Sequence, residues 1–108
     1  MKRCPRVRAL KLAAKVRERL TAELGQPVKI IMFGSQARGD ATKYSDIDLL
    51  VIVPSLNDKI QERISDVAWE VGFDAGKFIS AFPTTKQEMN YFAILPFYRN
   101  IKKERVPV

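Results

Sequence analysis

Apolar residues at three- and four-residue steps predict a first helix over residues 5–24. The residues that form this stripe are Ala9, Leu12, Ala13, Val16, Leu20 and Leu24. Gly25 stands where helices commonly end, and Pro27 cannot continue a helix. Residues 28–33 are a short β-branched apolar run, which predicts a first strand. Residues 34–45 are polar and show no period, so we expect a connector there.

A second strand and a second long helix are predicted in the middle of the chain. Residues 46–53 begin with two aspartates, continue as an apolar run, and are closed by Pro54. Ser55 or Asn57 is placed to cap the helix that follows. The apolar positions of this helix share one face, and they are Ile60, Ile64, Val67, Ala68 and Val71. Trp69 lies beside that face, and we expect it to be a packing anchor.

The last part of the chain predicts one more strand and shorter helices. Residues 77–82 form a third apolar run, and we expect Pro83 to end it. Thr85 and Glu88 have the spacing of a capping box, which predicts a short helix. After Pro96 we expect one last helical turn and a frayed end. The element order predicts an α+β fold, with a small mixed sheet of three or more strands and helices packed mainly on one face.

Length and composition set limits on the class of protein. At 108 residues and 46% hydrophobic content, the chain is expected to form a single domain over residues 1–108. No apolar stretch approaches the ~20 residues of a membrane span. The basic start has no apolar segment behind it, so it does not have the pattern of a secretory signal. We therefore expect a soluble, cytoplasmic protein that does not act at a membrane.

The chain contains no histidine, and its single cysteine is Cys4. These counts exclude Ser-His and Cys-His nucleophile pairs, zinc sites that use imidazole, and an internal disulfide. Any catalysis must therefore rest on carboxylates, hydroxyls, lysines, arginines and a metal bound through oxygen.

The net charge of +7 is concentrated near the two ends of the chain. Residues 1–19 carry eight basic side chains against Glu18, and residues 99–105 carry four against Glu104. A basic segment can contact nucleic acid or an acidic protein. In residues 1–19 the basic side chains spread around a helix without interleaved aromatics. A solvated helix face is thus favoured, and nucleic acid is the less favoured partner.

Asp46 and Asp48 are the most informative residues of the sequence. On a strand, both side chains point to the same face, with about 7 Å between their backbones at ~3.3 Å per residue. Two such charges repel by about 2 kcal/mol at an effective dielectric near 20. A divalent cation held by both carboxylates would offset this repulsion. Mg²⁺ is the metal we expect, because it binds through oxygen and shares its shell with substrate phosphates.

Residues 33–51 resemble the signature of minimal nucleotidyltransferases of the DNA polymerase β-like superfamily, in which Gly-Ser, ten residues and Asp-x-Asp follow one another. Gly34 permits a tight turn and a close approach of backbone to phosphate, and the amides that follow can form an anion cradle. The resemblance implies a nucleotidyltransferase fold in which Gly34 and Ser35 hold a nucleoside triphosphate. It also implies that Asp46 and Asp48 are catalytic and carry magnesium. Taken alone, Ser35 would be interpreted as a helix cap, but the nearby Asp46 and Asp48 favour the phosphate-binding role.

The other polar residues of the motif are less specific. Arg38 either contacts phosphate or braces the loop by pairing with Asp40 or Asp46, and the sequence does not separate these roles. Gln36 occupies a variable position of the motif and carries little information. Ser45 is expected to cap the loop ahead of the second strand.

The sequence departs from the family pattern in the third strand. Active members usually bring a third carboxylate from this strand, but Ser80 stands where that acid is expected. Asp74 and Glu88 are weaker candidates for the missing acid. Losing it would weaken general-base catalysis, a step that typically contributes 10²–10⁴-fold. Nucleotide binding should therefore survive better than turnover.

The resemblance also implies a partner, a small helical protein of the HEPN type in a toxin–antitoxin pair. The favoured hypothesis is magnesium-dependent transfer of AMP from ATP to a hydroxyl of that partner. The alternative is a catalytically weakened nucleotide-binding module that acts by binding the partner, and the oligomeric state stays open. Apolar residues near the end belong either to this interface or to the core, and they are Phe92, Leu95, Phe97, Tyr98 and Ile101.

Overall fold

The computed structural model describes residues 6–42 and 45–108. Its elements in chain order are α1 (Val7–Leu24), β1 (Lys29–Phe33), α2 (Gly34–Arg38), β2 (Ile47–Ile52), α3 (Asp58–Ala75), β3 (Ile79–Thr84), α4 (Lys86–Tyr91), α5 (Pro96–Glu104) and β4 (Val106–Pro107). Pro5, the predicted start of the first helix, and Cys4 lie outside the described residues. In the two described stretches, no helix combines the length and the apolar character that crossing a membrane requires.

The described strands form one mixed sheet of four strands in the order β3-β2-β1-β4. β1 pairs antiparallel with both β2 and β4, and β2 pairs parallel with β3. The parallel pair is joined through α3, as a crossover connection between parallel strands requires. The predicted α+β class with a mixed sheet is confirmed.

The two long helices pack on one face of the sheet. The predicted stripes are confirmed, because α1 buries Ala9, Ala13, Val16 and Leu20, and α3 buries Ile64, Val67, Ala68 and Val71. Alternate strand residues complete this core from the sheet side, and they include Ile30, Met32, Ile47, Leu49 and Val51. Each fully buried aliphatic side chain contributes about 1.5–3 kcal/mol relative to leaving it exposed.

Local capping explains where the helices begin. Of the two candidates ahead of α3, Asn57 is the cap, since its side chain accepts a hydrogen bond of 2.8 Å from the Ile60 amide. Thr85 caps α4 by accepting from the Glu88 amide at 3.1 Å, which confirms the predicted start of a short helix, while the Glu88 carboxylate accepts from the Thr84 hydroxyl.

The prediction that Pro83 ends the third strand is wrong, because β3 continues through Pro83 to Thr84. β3 is an edge strand, and its bonds to β2 use alternate residues. The Phe78 carbonyl accepts from the Ile47 amide and the Thr84 carbonyl from the Val53 amide, which places the Pro83 nitrogen on the side of β3 that faces away from β2. A proline costs the ladder no hydrogen bond in that position.

The prediction that Trp69 is a packing anchor is also wrong. Its side chain is 60% exposed and stacks on the equally exposed Phe73, with 4.9 Å between ring centroids. At 3.6 residues per turn, these two positions lie on the side of α3 opposite Val67 and Val71.

The predicted single turn and frayed end are replaced by the nine-residue helix α5 and the strand β4. β4 joins the sheet beside β1, where Val106 pairs with Met32. α5 lies over part of the second sheet face, because the Phe97 ring contacts the rings of Phe33 and Phe82. Ile101 is therefore core, whereas Phe92, Leu95 and Phe97 remain exposed.

Candidate functional site

The sheet places Asp46 and Asp48 on one face, away from the long helices. Ile47 and Leu49 are buried in the core under α1 and α3, so the alternate residues project to the other face. Asp46 precedes β2 and is exposed, and Asp48 lies within β2 and is half-buried. The structure therefore brings the two carboxylates together at one end of the sheet.

The pKa of Asp48 depends on its burial and on the charges around it. The pKa of Asp48 is raised above its ordinary value of 3.8, chiefly because burial disfavours the charged form. The charge of Asp46 raises this pKa further, Arg38 lowers it, and Glu104 raises it. The carboxylate repulsion expected from the sequence is thus present, and a bound cation would offset it.

Gly34 lies directly against the carboxyl group of Asp48. Phe33 is the register partner of Asp48, so the chain leaves β1 and enters α2 beside this side chain. Gly34 has φ of +76°, and a Cβ atom at this position would overlap Asp48 Oδ2. Glycine is needed here both for the backbone conformation and for the close approach. Ser35, the next residue, is partly exposed.

Ser80 is the neighbour of Asp48 on β3, as the parallel register Asp48↔Ser80 shows. This is the place where the sequence analysis expected a third carboxylate. Asp74 lies on α3, beyond the opposite face of the sheet, and is exposed. Glu88 lies on α4 and accepts a hydrogen bond of 3.2 Å from the Thr84 hydroxyl. Neither acid takes the position beside Asp48.

Glu104 is the residue that sequence reasoning missed. Its carboxylate accepts a hydrogen bond of 3.0 Å from the Gly34 amide and another of 2.8 Å from Arg38 Nη1. Arg38 also pairs with Asp40 at 3.2 Å. Arg38 therefore braces the loop, through Asp40 as considered and through Glu104 rather than Asp46. Glu104 is the single acid in the basic segment 99–105, which is the only local signal that marks it.

Two further polar residues fix the shape of the segment between β1 and β2. Ser45 Oγ accepts a hydrogen bond of 3.0 Å from the Thr42 amide, which confirms the expected cap. Gln36 is buried and donates to the Ser45 carbonyl at 3.1 Å. The residue that carried little information in the sequence thus ties α2 to the chain just before β2.

The donor set suits a hard divalent cation. Asp46 and Asp48 offer carboxylate oxygens, the ligands that magnesium prefers, and phosphate oxygens and water usually complete its shell. Over residues 6–42 and 45–108, no group of three or more histidine, cysteine, aspartate or glutamate side chains is arranged to hold a metal ion.

Comparisons with known proteins show which family the chain belongs to. A family model described as a nucleotidyltransferase domain matches residues 13–106. "Putative protein adenylyltransferase MJ0604" of Methanocaldococcus jannaschii is 34% identical over 80 residues, which cover 74% of this chain and 76% of that protein. "Putative protein adenylyltransferase MJ1305" of the same organism is 36% identical over 72 residues, which cover 64% of this chain and 49% of that protein.

A solved structure shares the fold. It is described as a putative nucleotidyltransferase from Sulfolobus solfataricus, and it superposes with a TM-score of 0.62 at 23% sequence identity. The match covers 94% of this chain and 79% of that chain. At this identity the likeness concerns the arrangement of helices and strands.

Proposed function

Because the chain belongs to the nucleotidyltransferase domain family, we propose that it transfers AMP from ATP to a hydroxyl group of a partner protein. A nucleoside triphosphate substrate and a divalent metal are general to this family. The choice of AMP and of a protein acceptor follows the names of the two M. jannaschii relatives. One observation carries the proposal: Asp46 and Asp48 share a sheet face directly beside the turn at Gly34.

In the proposed reaction, the oxygen of the acceptor hydroxyl forms a bond to the α-phosphorus of ATP. The bond from that phosphorus to the pyrophosphate oxygen breaks, and the hydroxyl proton is released. Gly34 and Ser35 hold the phosphates, and Asp46 and Asp48 hold the metal, which we propose is magnesium. When bound, magnesium supplies charge neutralisation for the transferring phosphoryl group. Fixing the reactants in this geometry is most of what the protein contributes.

The proposed acceptor is a helical protein of the HEPN type, which the chain would neutralise as the antitoxin of a cytoplasmic pair. Ser80 favours a second candidate function. With a hydroxyl in place of a third acid beside Asp48, the chain would bind nucleotide and partner but turn over slowly. Association with the partner, rather than its modification, would then be the main activity.

Labelled ATP with magnesium separates the two functions when it is incubated with and without a candidate helical partner. Label on the partner that is lost in Asp46→Asn and Asp48→Asn supports transfer. Asp74→Asn is the matched control, because that acid is exposed on α3, beyond the other face, and should keep the label. An unlabelled partner in a stable complex supports the binding function. No label, no complex and no melting shift with Mg–ATP would contradict both.

A further inference from the structure

Glu104 connects the end of α5 to both ends of α2. One oxygen of its carboxylate accepts from the amide of Gly34, the first residue of α2, at 3.0 Å. The other accepts from the guanidinium of Arg38, the last residue of α2, at 2.8 Å. Hydrogen bonds in which a partner is ionised are roughly twice as strong as neutral ones. Both ends of the short helix are thus held by one side chain.

Glu104 itself is held at a fixed point of the fold. It is the last residue of α5, and Ile101, one turn earlier, is only 3% exposed. Two residues later, Val106 pairs with Met32 in the sheet, and the Val108 amide donates to the Ile30 carbonyl at 2.9 Å. Because the chain is anchored on both sides of Glu104, its carboxylate has a defined place relative to β1.

The start of α2, which Glu104 holds, is packed on Asp48. Gly34 stands so close to Asp48 Oδ2 that even a Cβ atom would overlap it. A shift of the Gly34 backbone would therefore change the space available to that carboxylate and to Ser35. We propose that Glu104 is a positioning residue, which holds α2 in the place where its backbone contacts the phosphates of the nucleotide whose metal Asp48 would hold. This inference rests on the proposed function.

The opposite role for Glu104 is that of an internal competitor for phosphate. Its carboxylate takes up donors of Gly34 and Arg38, two residues that the motif associates with the nucleotide. A competitor must leave when the nucleotide arrives, and such groups sit on segments that open easily. The anchoring of Glu104 by α5 and β4 favours the positioning role. The two roles predict opposite effects of removing the carboxylate.

The affinity for Mg–ATP, measured by isothermal titration calorimetry, distinguishes them. Glu104→Ala is expected to weaken binding roughly 10–100-fold, the usual loss when a partner that orients ligand-binding groups is removed. Glu104→Gln keeps an oxygen for the Gly34 amide and should fall between Glu104→Ala and the unchanged protein. Glu23→Ala is the matched control, because Glu23 accepts from Arg63 at 2.7 Å on the helical side of the sheet. It should bind Mg–ATP with unchanged affinity.

Amide hydrogen exchange at Gly34, measured without nucleotide, tests the contact independently. Exchange should be faster in Glu104→Ala, and in Glu104→Gln it should stay close to that of the unchanged protein. Binding by Glu104→Ala or Glu104→Gln that equals or exceeds that of the unchanged protein would overturn the positioning role. Failure of the unchanged protein to bind Mg–ATP would instead refute the proposed function, and Gly34 exchange would still decide whether Glu104 holds the loop.

Discussion

Replacement of Gly34 by alanine separates the stability of the fold from the geometry of the site. Gly34 has φ of +76°, a left-handed conformation that costs an L-residue roughly 1–2 kcal/mol. The added Cβ atom would also overlap Asp48 Oδ2. That oxygen ends a short side chain, so the overlap can be relieved by turning Asp48 away from its rotamer. Such a distortion costs of order 0.5–1.5 kcal/mol.

Gly34→Ala should therefore destabilise the protein by about 1.5–3.5 kcal/mol in total. Gly25→Ala is the matched control, because Gly25 has φ of +63° and an added Cβ would meet nothing within 4 Å. The control should be destabilised only by the cost of the left-handed backbone conformation, about 1–2 kcal/mol. In a domain of this size each kcal/mol corresponds to a fall of about 4–8 °C in Tm.

The functional difference should exceed the difference in stability. Chemical denaturation gives the free energy of unfolding, and the increase in Tm with Mg–ATP reports binding to the folded state. We expect Gly25→Ala to keep the full ligand-induced increase and Gly34→Ala to lose most of it. A Gly34→Ala protein that binds Mg–ATP as the control does would refute the coupling between this turn and Asp48.

Four other predictions concern charge, the metal and packing. The pKa of Asp48 is raised in the folded state. Its stabilising contribution to the free energy of unfolding is therefore present below pH 3.8 and is lost as pH rises through the raised pKa. Asp48→Asn should accordingly raise Tm in metal-free buffer at pH 7 but not below pH 3.8. ATP in EDTA should raise Tm far less than Mg–ATP, and equal increases would argue against a metal at the two aspartates. By chemical denaturation, Leu20→Ala should cost about 2–5 kcal/mol, since Leu20 is fully buried. Trp69→Ala should stay within about 0.5 kcal/mol, because Trp69 is exposed.

The sequence was sufficient to predict the parts of the fold that depend on local periodicity. The stripes of α1 and α3 became the core because a helix has one apolar face to bury. The position of Ser80 beside Asp48 was also predictable, since a strand, a helix and a parallel strand usually place the two strands side by side.

The wrong predictions concern properties that only the assembled fold determines. An aromatic residue such as Trp69 is often buried, yet burial depends on which side of the helix it occupies, and both Trp69 and Phe73 are exposed on theirs. Pro83 ends a central strand but not an edge strand, and the edge is known only from the sheet order. β4 has two residues, too few for any alternation to show. It forms because α5 returns the chain to β1.

The role of Glu104 was hidden for the same reason. Its partners Gly34 and Arg38 are 70 and 66 residues away in the chain. Among four basic neighbours in residues 99–105, a single acid resembles ordinary surface charge. The contact exists only because α5 crosses the second face of the sheet and ends beside α2.

The charges around the site suggest in which form a nucleotide is bound. Asp46, Asp48 and Glu104 bring negative charge to the site. Arg38 pairs with Glu104, and its charge also lowers the pKa of Asp48. Arg38 is already shared between Glu104 and Asp40, so its charge is largely committed within the protein. A triphosphate without a cation would be repelled by these carboxylates, because their charge has the same sign. A nucleotide that carries a divalent cation would reverse this balance, because in the proposed site the cation would bind the carboxylates that repel the phosphates.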